Sequence, residues 1–264
     1  MSIGIVGTGS MGTAIIRGAI ASGRLEPNEI YAYDKHPDKL KDLGARYGIR
    51  ICDSLEELVE ACGTVLLAVK PHVYEPVLYD MRNMKEDVLI VTIAVGYEMD
   101  RVKLHLGRPE AKIIRTMPNT PCQIGAGIIG YCHTDAVSLA ELERVKFIFE
   151  GFSEVVYVKE EDMHAFAAIS GSMPAFVDLF IEAAADAAVA EGIQRGDAYR
   201  IIAAAVAGSA QLVNETGEHP GVLKDAVTSP GGTTIEGVHA LEAGNFRKTV
   251  MDAIRVTTEK SKNM

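Results

Sequence analysis

The stretch GIVGTGSMG, residues 4–12, decides the fold of the chain. It reads G-x-G-x-x-G, placed directly after a short apolar run and at the start of a helical pattern. In this context the first glycine makes a tight turn, the second lets the backbone approach a pyrophosphate, and the third lets the helix pack on the strand. The helix N-terminus can then hold the anion, so we predict a dinucleotide site rather than an empty tight turn. The predicted cofactor residues here are Gly7, Thr8, Gly9, Ser10, Met11 and Gly12.

Outward from this stretch, short apolar runs alternate with amphipathic segments. Near-continuous apolar character is typical of strands that helices cover on both faces, and helical patterns ending at glycines separate most of the runs. This alternation predicts a doubly wound parallel sheet. The predicted strands are residues 3–7, 30–34, 64–69, 88–95 and 112–116, with further candidates at 127–132 and 154–158 around a helix at 138–150.

Asp34 lies at the end of the second predicted strand, where an acidic side chain commonly accepts both ribose hydroxyls and disfavours a 2′-phosphate. That position indicates NAD. Lys35 and His36 follow at once, and both could contact a phosphate, so the sequence leaves NADPH and NADH open. Asp34 as a simple helix N-cap is the structural alternative.

Two other strand ends are expected along the cofactor, because ligands of open α/β sheets bind beyond the carboxyl ends of the strands. Ala68 and Lys70 follow the strand at 64–69, although Lys70 could equally be a solvated residue before a helix that starts at Pro71. Val95 ends the strand at 88–95 in the same way.

From about residue 160 onward the sequence is alanine-rich and helical, with no clear strand. We therefore predict two domains, a dinucleotide-binding domain at residues 1–159 and a helical domain at residues 160–264. Because alanine side chains are small, these helices cannot form a large hydrophobic core of their own. This favours burial of their apolar surface against a second copy of the chain, and hence a homodimer. A monomeric helical lobe packed on the sheet is the alternative.

Composition narrows the function classes. The formal net charge is −10, with acidic and basic residues interleaved, so we expect no nucleic-acid partner. The start of the chain does not resemble a signal peptide, and no apolar run approaches membrane-spanning length. The four cysteines have no metal-ligand spacing, so we expect no metal site and reduced thiols in a cytoplasmic protein.

Five motifs along nearly the whole chain resemble those of pyrroline-5-carboxylate reductases, in order and at family-like spacing. They are GTGSMG, AVKP, RTMPNTP, SGSMPAF and SPGGTTIEGVHALEAGNFR, which begin at residues 7, 68, 115, 170 and 229. The last motif is highly specific, since a dinucleotide fold alone does not predict it. The resemblance implies reduction of 1-pyrroline-5-carboxylate to L-proline by NADPH or NADH. It also implies a homodimer with interlocked C-terminal helices that often assembles into a pentamer of dimers.

The turn SPGGTT, residues 229–234, carries the predicted substrate site. Pro230 fixes one dihedral, the glycines free the backbone to turn its amides inward, and the helix that follows favours an anion at its N-terminus. The amides of Gly232, Thr233 and Thr234 are our candidates for the substrate carboxylate. Ser229 and Thr233 as plain helix caps are the alternative, which leaves the double glycine unexplained. The predicted substrate residues are Ser229, Gly231, Gly232, Thr233 and Thr234.

The resemblance adds residue roles. Thr234 aligns with the threonine whose hydroxyl contacts the imine nitrogen in this family, and it is the predicted catalytic residue. Ser54 stands where some relatives have an asparagine near the adenosine, so it is a predicted cofactor contact. Glu160 and Glu161 lie near a reported substrate contact. Because the turn follows the sheet motifs by over a hundred residues, it can act only if this subunit or its dimer mate brings it to the nicotinamide.

Two other functions compete with this hypothesis. One is a β-hydroxyacid dehydrogenase or another imine reductase of similar build, although β-hydroxyacid relatives use a helical lysine as proton donor and residues 163–192 contain none. The other is a dinucleotide sensor without catalysis. The sequence thus predicts an α/β chain with an N-terminal Rossmann-type doubly wound sheet and a C-terminal all-helical dimerisation domain.

Overall fold

The computed structural model describes residues 2–263. By internal contacts the chain divides into two compact units. One holds the residues up to Ser172 together with the segment from Thr257 onward, and the other holds Met173–Val256. The predicted boundary after residue 159 lies within the first unit.

The first unit is built on an eight-stranded sheet of order β3-β2-β1-β4-β5-β6-β7-β8. Neighbouring strands are parallel except for β6 and β7, which are antiparallel. The predicted doubly wound sheet is therefore confirmed, with one antiparallel pair added. The strands are β1 Ile3–Val6, β2 Ile30–Tyr33, β3 Arg50–Ile51, β4 Thr64–Leu67, β5 Leu89–Thr92, β6 Ile113–Pro118, β7 Gly127–His133 and β8 Ser153–Tyr157.

The strand order reverses beside β1, which pairs with β2 on one side and β4 on the other. Chain segments leaving β1 and β4 diverge at such a point and open a crevice beyond the carboxyl ends of the strands. Gly7 and Ala68 follow directly on these two strands. The topology thus brings two of the predicted cofactor segments to one edge of the sheet.

Helices cover both faces of the sheet. Side chains alternate across a strand, and accordingly Val65 and Leu67 belong to one buried cluster while Leu66 belongs to the other. Burial on both faces explains the continuous apolar runs of the sequence. The helices of this unit are α1 Ser10–Ala21, α2 Pro37–Tyr47, α3 Leu55–Ala61, α4 Pro71–Asp80, α5 Met99–Leu106, α6 Leu139–Phe149 and α7 Met163–Phe166.

The regular secondary structure of the second unit, Met173–Val256, consists of helices, as predicted. Its helices are α8 Met173–Ala190, α9 Arg195–Thr216, α10 Pro220–Ala226, α11 Thr233–Ala243 and the larger part of α12 Phe246–Lys262. A π-helical turn, Ala167–Gly171, precedes α8. Pro174 is the second residue of α8, where its missing amide costs little.

The second unit buries little of its own apolar surface. Across Met173–Val256 only Ala185 and Ala198 are buried. By contrast, Leu179 and Met251 are 65% and 70% exposed, and many other large apolar side chains are similarly open. So much exposed apolar area marks an association surface in a folded protein.

Candidate functional site

The three glycines of the first motif occupy three different environments. Gly7 has a φ of +97°, which a side chain would strain, and a Cβ there would lie 2.8 Å from the carbonyl oxygen of Ala68. A Cβ at Gly12 would lie 2.2 Å from the carbonyl oxygen of Gly7, so helix α1 packs tightly on the end of β1. A Cβ at Gly9 would meet nothing within 4 Å. Gly9 is thus the one position of the three that borders open space.

Helix α1 begins at Ser10 with its first amides uncapped. Gly9 is the N-cap and supplies no side chain, and the first intrahelical bond runs from the Thr13 amide to the Gly9 carbonyl. Within residues 2–263 the amides of Ser10, Met11 and Gly12 have no acceptor. A helix N-terminus with free amides beside an open glycine fits a dinucleotide pyrophosphate.

Asp34 is tied to this loop by hydrogen bonds. Its Oδ2 accepts from the Thr8 amide at 2.7 Å and the Thr8 hydroxyl at 3.0 Å. Its Oδ1 accepts from the His36 amide at 3.1 Å and pairs with the His36 ring Nδ1 at 3.0 Å. Burial by itself would raise the pKa of Asp34, but these hydrogen bonds outweigh it and hold the pKa below its ordinary value. Asp34 is not the N-cap of helix α2, because His36 occupies that position.

A cavity of about 310 Å³ opens at this edge of the sheet. It brings together Gly7, Gly9, Asp34, Lys35, Ala68 and Lys70 of the predicted residues. His36, Lys39 and His72 also line it. Sequence reasoning missed Lys39 and His72, although both stand close after strand ends that it had singled out. The residues that line the cavity therefore include one carboxylate, that of Asp34, together with three lysines and two histidines.

Six predicted cofactor residues are not in the lining of this cavity. Thr8, Ser10, Met11 and Gly12 belong to the glycine-rich loop and the start of α1, whereas Ser54 and Val95 lie elsewhere. The Ser54 hydroxyl accepts from the Glu57 amide at 3.1 Å and so caps helix α3, and Ser54 borders a different cleft together with Tyr79 and Asp80. Val95 packs against the buried cluster that contains Tyr97. Ser54 and Val95 stay predictions as cofactor contacts, because neither residue lines the cavity.

The SPGG segment forms a turn closed by a hydrogen bond of 3.0 Å from the Gly232 amide to the Ser229 carbonyl. Pro230 and Gly231 are its central residues, and the φ of Gly231 is +69°. Proline followed by a left-handed glycine is the sequence of a type II turn. A Cβ at Gly232 would lie 2.4 Å from the Ser229 hydroxyl oxygen. Gly231 therefore has a conformational reason, its positive φ, and Gly232 a steric one.

This turn corrects the predicted role of one amide. Because the Gly232 amide closes the turn, it is not free to hold a carboxylate. Helix α11 begins at Thr233, its N-cap is Gly232, and no side chain caps it. The alternative that Ser229 and Thr233 serve as plain helix caps is therefore wrong. In the part of the chain that the structure describes, the amides and hydroxyls of Thr233 and Thr234 have no hydrogen-bond partner, and both residues are exposed.

The two glutamates near the end of the sheet have different surroundings. Glu160 Oε1 accepts from the Met99 amide at 2.7 Å and from Arg115 Nη1 at 2.9 Å. Glu161 is 76% exposed at its side chain and lies 3.7 Å from Lys159 Nζ. Glu160 is thus engaged inside the first unit, and the Glu161 side chain is mostly solvated.

The cysteines and the helices bear on three other features, namely thiols, metal centres and membrane spans. All four cysteines are buried and free, as predicted for reduced thiols. Among residues 2–263 the structure holds no cluster of three or more potential metal-binding side chains. None of the helices described is both long and apolar enough to cross a bilayer.

Comparison with known proteins places these features in context. Residues 160–264 match a family model described as pyrroline-5-carboxylate reductase dimerisation, and residues 2–96 match one described as NADP oxidoreductase, coenzyme F420-dependent. The chain is 43% identical to the pyrroline-5-carboxylate reductase of Escherichia coli over 99% of this chain and 97% of that protein. It is 34% identical to the Arabidopsis thaliana enzyme of the same name, over 99% and 95% of the two chains.

Solved structures agree with the sequence matches. The crystal structure of the Plasmodium falciparum pyrroline carboxylate reductase with NADP bound superposes with a TM-score of 0.90 at 31% identity, covering 100% of this chain and 97% of that one. The Coxiella burnetii pyrroline-5-carboxylate reductase gives a TM-score of 0.91 at 30% identity, over 99% and 97% of the two chains.

Proposed function

The chain belongs to the pyrroline-5-carboxylate reductase family, and from that premise we propose that its two candidate sites divide the work of the family's reaction. The reaction is the NAD(P)H-dependent reduction of the C=N bond of 1-pyrroline-5-carboxylate to L-proline, the last step of proline biosynthesis. We assign cofactor binding to the loop at Gly7–Gly12 with its cavity, and substrate binding to the turn at Ser229–Thr234.

One observation carries the cofactor assignment. Gly9 borders open space at the N-terminus of α1, where the amides of Ser10 and Met11 have no protein acceptor. A bound nicotinamide cofactor supplies the hydride. The protein has to hold its phosphates, and free amides at a helix N-terminus do this without desolvating a cationic side chain. Lys70 and Lys35 on the cavity wall add positive charge.

The turn supplies the corresponding anion site for substrate. The amides of Thr233 and Thr234 are the first of an 11-residue helix, so their free hydrogens and the helix dipole favour a carboxylate. The Ser229 hydroxyl lies beside the turn and can donate to the same group. Gly232 contributes by having no side chain beside Ser229, and not through its amide, which closes the turn.

Thr234 is our proposed catalytic residue. Its hydroxyl is exposed and unpartnered within the described residues, so it is available to hydrogen-bond the ring nitrogen. A protonated C=N bond is already electrophilic, and hydride transfer to it demands mainly alignment. A neutral hydroxyl can hold the nitrogen in place without adding a charge that would disfavour the iminium form.

Kinetics of a threonine series test this function. Wild-type protein should oxidise NADPH or NADH when 1-pyrroline-5-carboxylate is added, with proline as product. Thr234→Ala should lower kcat by roughly tenfold or more if one transition-state hydrogen bond of about 1.4 kcal/mol is lost. Thr234→Ser should recover most of the rate, because it restores a hydroxyl.

The matched control is Thr216→Ala. Thr216 is an exposed threonine of the same unit whose hydroxyl bonds only to the chain around it, at Leu212 and Glu218. This variant should keep the wild-type rate. No turnover by wild-type protein with either cofactor would reject the function, and full activity of Thr234→Ala with unchanged KM would reject the role of Thr234 alone. A dinucleotide sensor would bind cofactor but show no turnover.

The protein forms a homo-oligomer, and we propose a homodimer as its basic unit with further assembly into a pentamer of dimers. The exposed apolar side chains of α8 to α12 support this proposal, because a folded protein needs to cover them. We also propose that residues 160–264 act together in dimerisation and substrate binding, as the extent of the matched family model supports. The reduced cysteines support a cytoplasmic location.

A further inference from the structure

Strands β4 and β5 are parallel neighbours whose backbone hydrogen bonds follow a regular pattern. At their start the Leu89 amide donates to the Gly63 carbonyl at 2.9 Å. The two strands keep one register, and Leu67 ends opposite Thr92. Because the bonds of a parallel pair recur every two residues, the same pattern places the last one between the Ile93 amide and the Leu67 carbonyl.

The hydroxyl of Tyr74 takes the place of that last bond. It donates to the Leu67 carbonyl at 2.6 Å and accepts from the Ile93 amide at 3.1 Å. A hydroxyl can do both at once, because it has one donor and two acceptor positions. On the other side of β4 the backbone pairing continues, since the Ala68 amide donates to the Val6 carbonyl at 2.8 Å. Strand β4 therefore stays paired with β1 and separates from β5 where the phenol oxygen lies between them.

Packing holds the Tyr74 side chain in this position. The residue is fully buried, and its ring packs on that of Tyr97 with the ring centroids 4.8 Å apart. Burial raises the pKa of the hydroxyl, so the group is neutral and keeps its donor proton at ordinary pH. Tyr74 belongs to helix α4, whose Val73 and Val77 line the proposed cofactor cavity. One hydroxyl thus joins α4 to the ends of two strands.

The segments that this hydroxyl separates continue into the cofactor region. Ala68 and Lys70 follow β4 and line the cavity, and Val95, a predicted cofactor contact, follows β5. A direct bond between the two backbone groups would hold their nitrogen and oxygen at about 2.9 Å. The inserted oxygen keeps the two strand ends farther apart, and so sets the spacing of the segments that follow them.

We propose that Tyr74 is a positioning residue for the reaction: its hydroxyl spaces the segments after β4 and β5 so that the nicotinamide cofactor fits along the carboxyl edge of the sheet. Because Tyr74 is fully buried, it acts through the backbone of Leu67 and Ile93 and not by contact with the cofactor. This inference rests on the cofactor site proposed above, and it adds a residue that is not in the cavity lining.

Tyr74→Phe tests the role, since it removes the hydroxyl and keeps the ring. The Kd for NADPH, measured by fluorescence titration, should rise by roughly tenfold because the two segments lose the group that spaces them. In steady-state kinetics the KM for NADPH should rise similarly, with the KM for 1-pyrroline-5-carboxylate unchanged. Wild-type values of Kd and KM for NADPH, or an equal rise in both KM values, would overturn the proposal.

The matched control is Tyr97→Phe, which removes the same atom from the neighbouring ring. Tyr97 is 1% exposed, and its hydroxyl is buried without a hydrogen-bond partner among residues 2–263. This variant should keep the wild-type Kd and both KM values. A tenfold loss of NADPH affinity here as well would show that any change in this cluster disturbs the site, and it would overturn the specific role of the Tyr74 hydroxyl.

A purely structural role of the Tyr74 hydroxyl predicts a different result. Tyr74→Phe leaves a buried amide and a buried carbonyl without their bridging partner, so the variant should also melt at a lower temperature. The rise in melting temperature that a fixed excess of NADPH produces reports affinity even in a less stable protein. A smaller rise than in wild type supports positioning, and an equal rise would mean that the hydroxyl serves stability alone.

The proposed function can fail independently of this inference. If wild-type protein binds NADPH but does not reduce 1-pyrroline-5-carboxylate, weaker NADPH binding by Tyr74→Phe would still support positioning while the reaction is rejected. Turnover by wild-type protein together with an unchanged KM for NADPH in Tyr74→Phe would do the reverse.

Discussion

Arg115 and Glu160 form an ion pair in which the arginine is almost completely buried. Arg115 is 1% exposed, and its Nη1 lies 2.9 Å from Glu160 Oε1. Its Nε and Nη2 have no hydrogen-bond partner among the described residues. The contact with the Glu160 carboxylate therefore offsets the cost of burying the Arg115 charge. It also joins strand β6 to the segment before α7.

The first prediction concerns this pair. Glu160→Ala should lower the free energy of unfolding by about 3 kcal/mol, because it leaves the Arg115 charge buried without a partner. Urea unfolding followed by circular dichroism measures the loss. Glu161→Ala removes the neighbouring, exposed carboxylate and should change stability by less than about 0.5 kcal/mol. Equal effects of the two substitutions would contradict the role assigned to the pair.

The second prediction separates folding from cofactor binding within one motif. Gly9→Ala adds a methyl group in open space, so stability should be unchanged while NADPH affinity falls. Gly12→Ala places a methyl group against the Gly7 carbonyl and should lower the melting temperature as well. Thermal unfolding without ligand and NADPH fluorescence titration give the two readouts. A Gly9→Ala protein that binds NADPH normally would argue against pyrophosphate binding at this loop.

The third prediction concerns the pH dependence of Asp34. Its folded-state pKa lies below the ordinary value of 3.8, so the carboxylate stabilises the fold above that value and the contribution disappears as pH falls through the folded pKa. The stability difference between wild type and Asp34→Asn should therefore be full at about pH 7 and shrink toward about pH 3. A difference that stays constant over this range would contradict the assignment.

The fourth prediction concerns the thiols. Burial raises the pKa of Cys52 to about 11 and those of Cys62 and Cys132 to about 12. It also raises the pKa of Cys122. Because the thiolate is the reactive form, native protein at about pH 8 should react very slowly with a thiol reagent. All four cysteines should react after unfolding in guanidinium. Rapid reaction of any thiol in the native protein would show that its burial is incomplete.

The fifth prediction concerns assembly. Leu179 is 65% exposed on α8, among the apolar side chains that we propose to be covered in the homo-oligomer. Leu179→Asp should reduce the mass measured by light scattering, since a charge at a buried contact is costly. Leu139→Asp makes the same change at a 73% exposed leucine on α6 and should leave the mass unchanged. A monomeric wild-type protein would reject the homodimer.

Sequence reasoning located the main strands because each is a continuous apolar run between turn signals. It missed β3, which has two residues, Arg50 and Ile51, and is defined only by its pairing with β2. The antiparallel direction of β7 was also not predicted, because apolar character does not depend on strand direction. Pairing partners lie far apart along the chain, so these features depend on tertiary contacts.

By itself the sequence determined the glycine-rich turn, the βα alternation, the helical C-terminal region and the specific motif at residues 229–247. These depend on local conformational preference and on periodicity, which single segments carry. Only the tertiary structure decided which groups are free. In the folded chain the Gly232 amide closes a turn, Asp34 accepts hydrogen bonds from Thr8 and His36 at both carboxylate oxygens, and Lys39 lines the cavity. Hydrogen-bonding capacity is shared among groups that folding brings together, and a residue's type alone does not show which partner takes it.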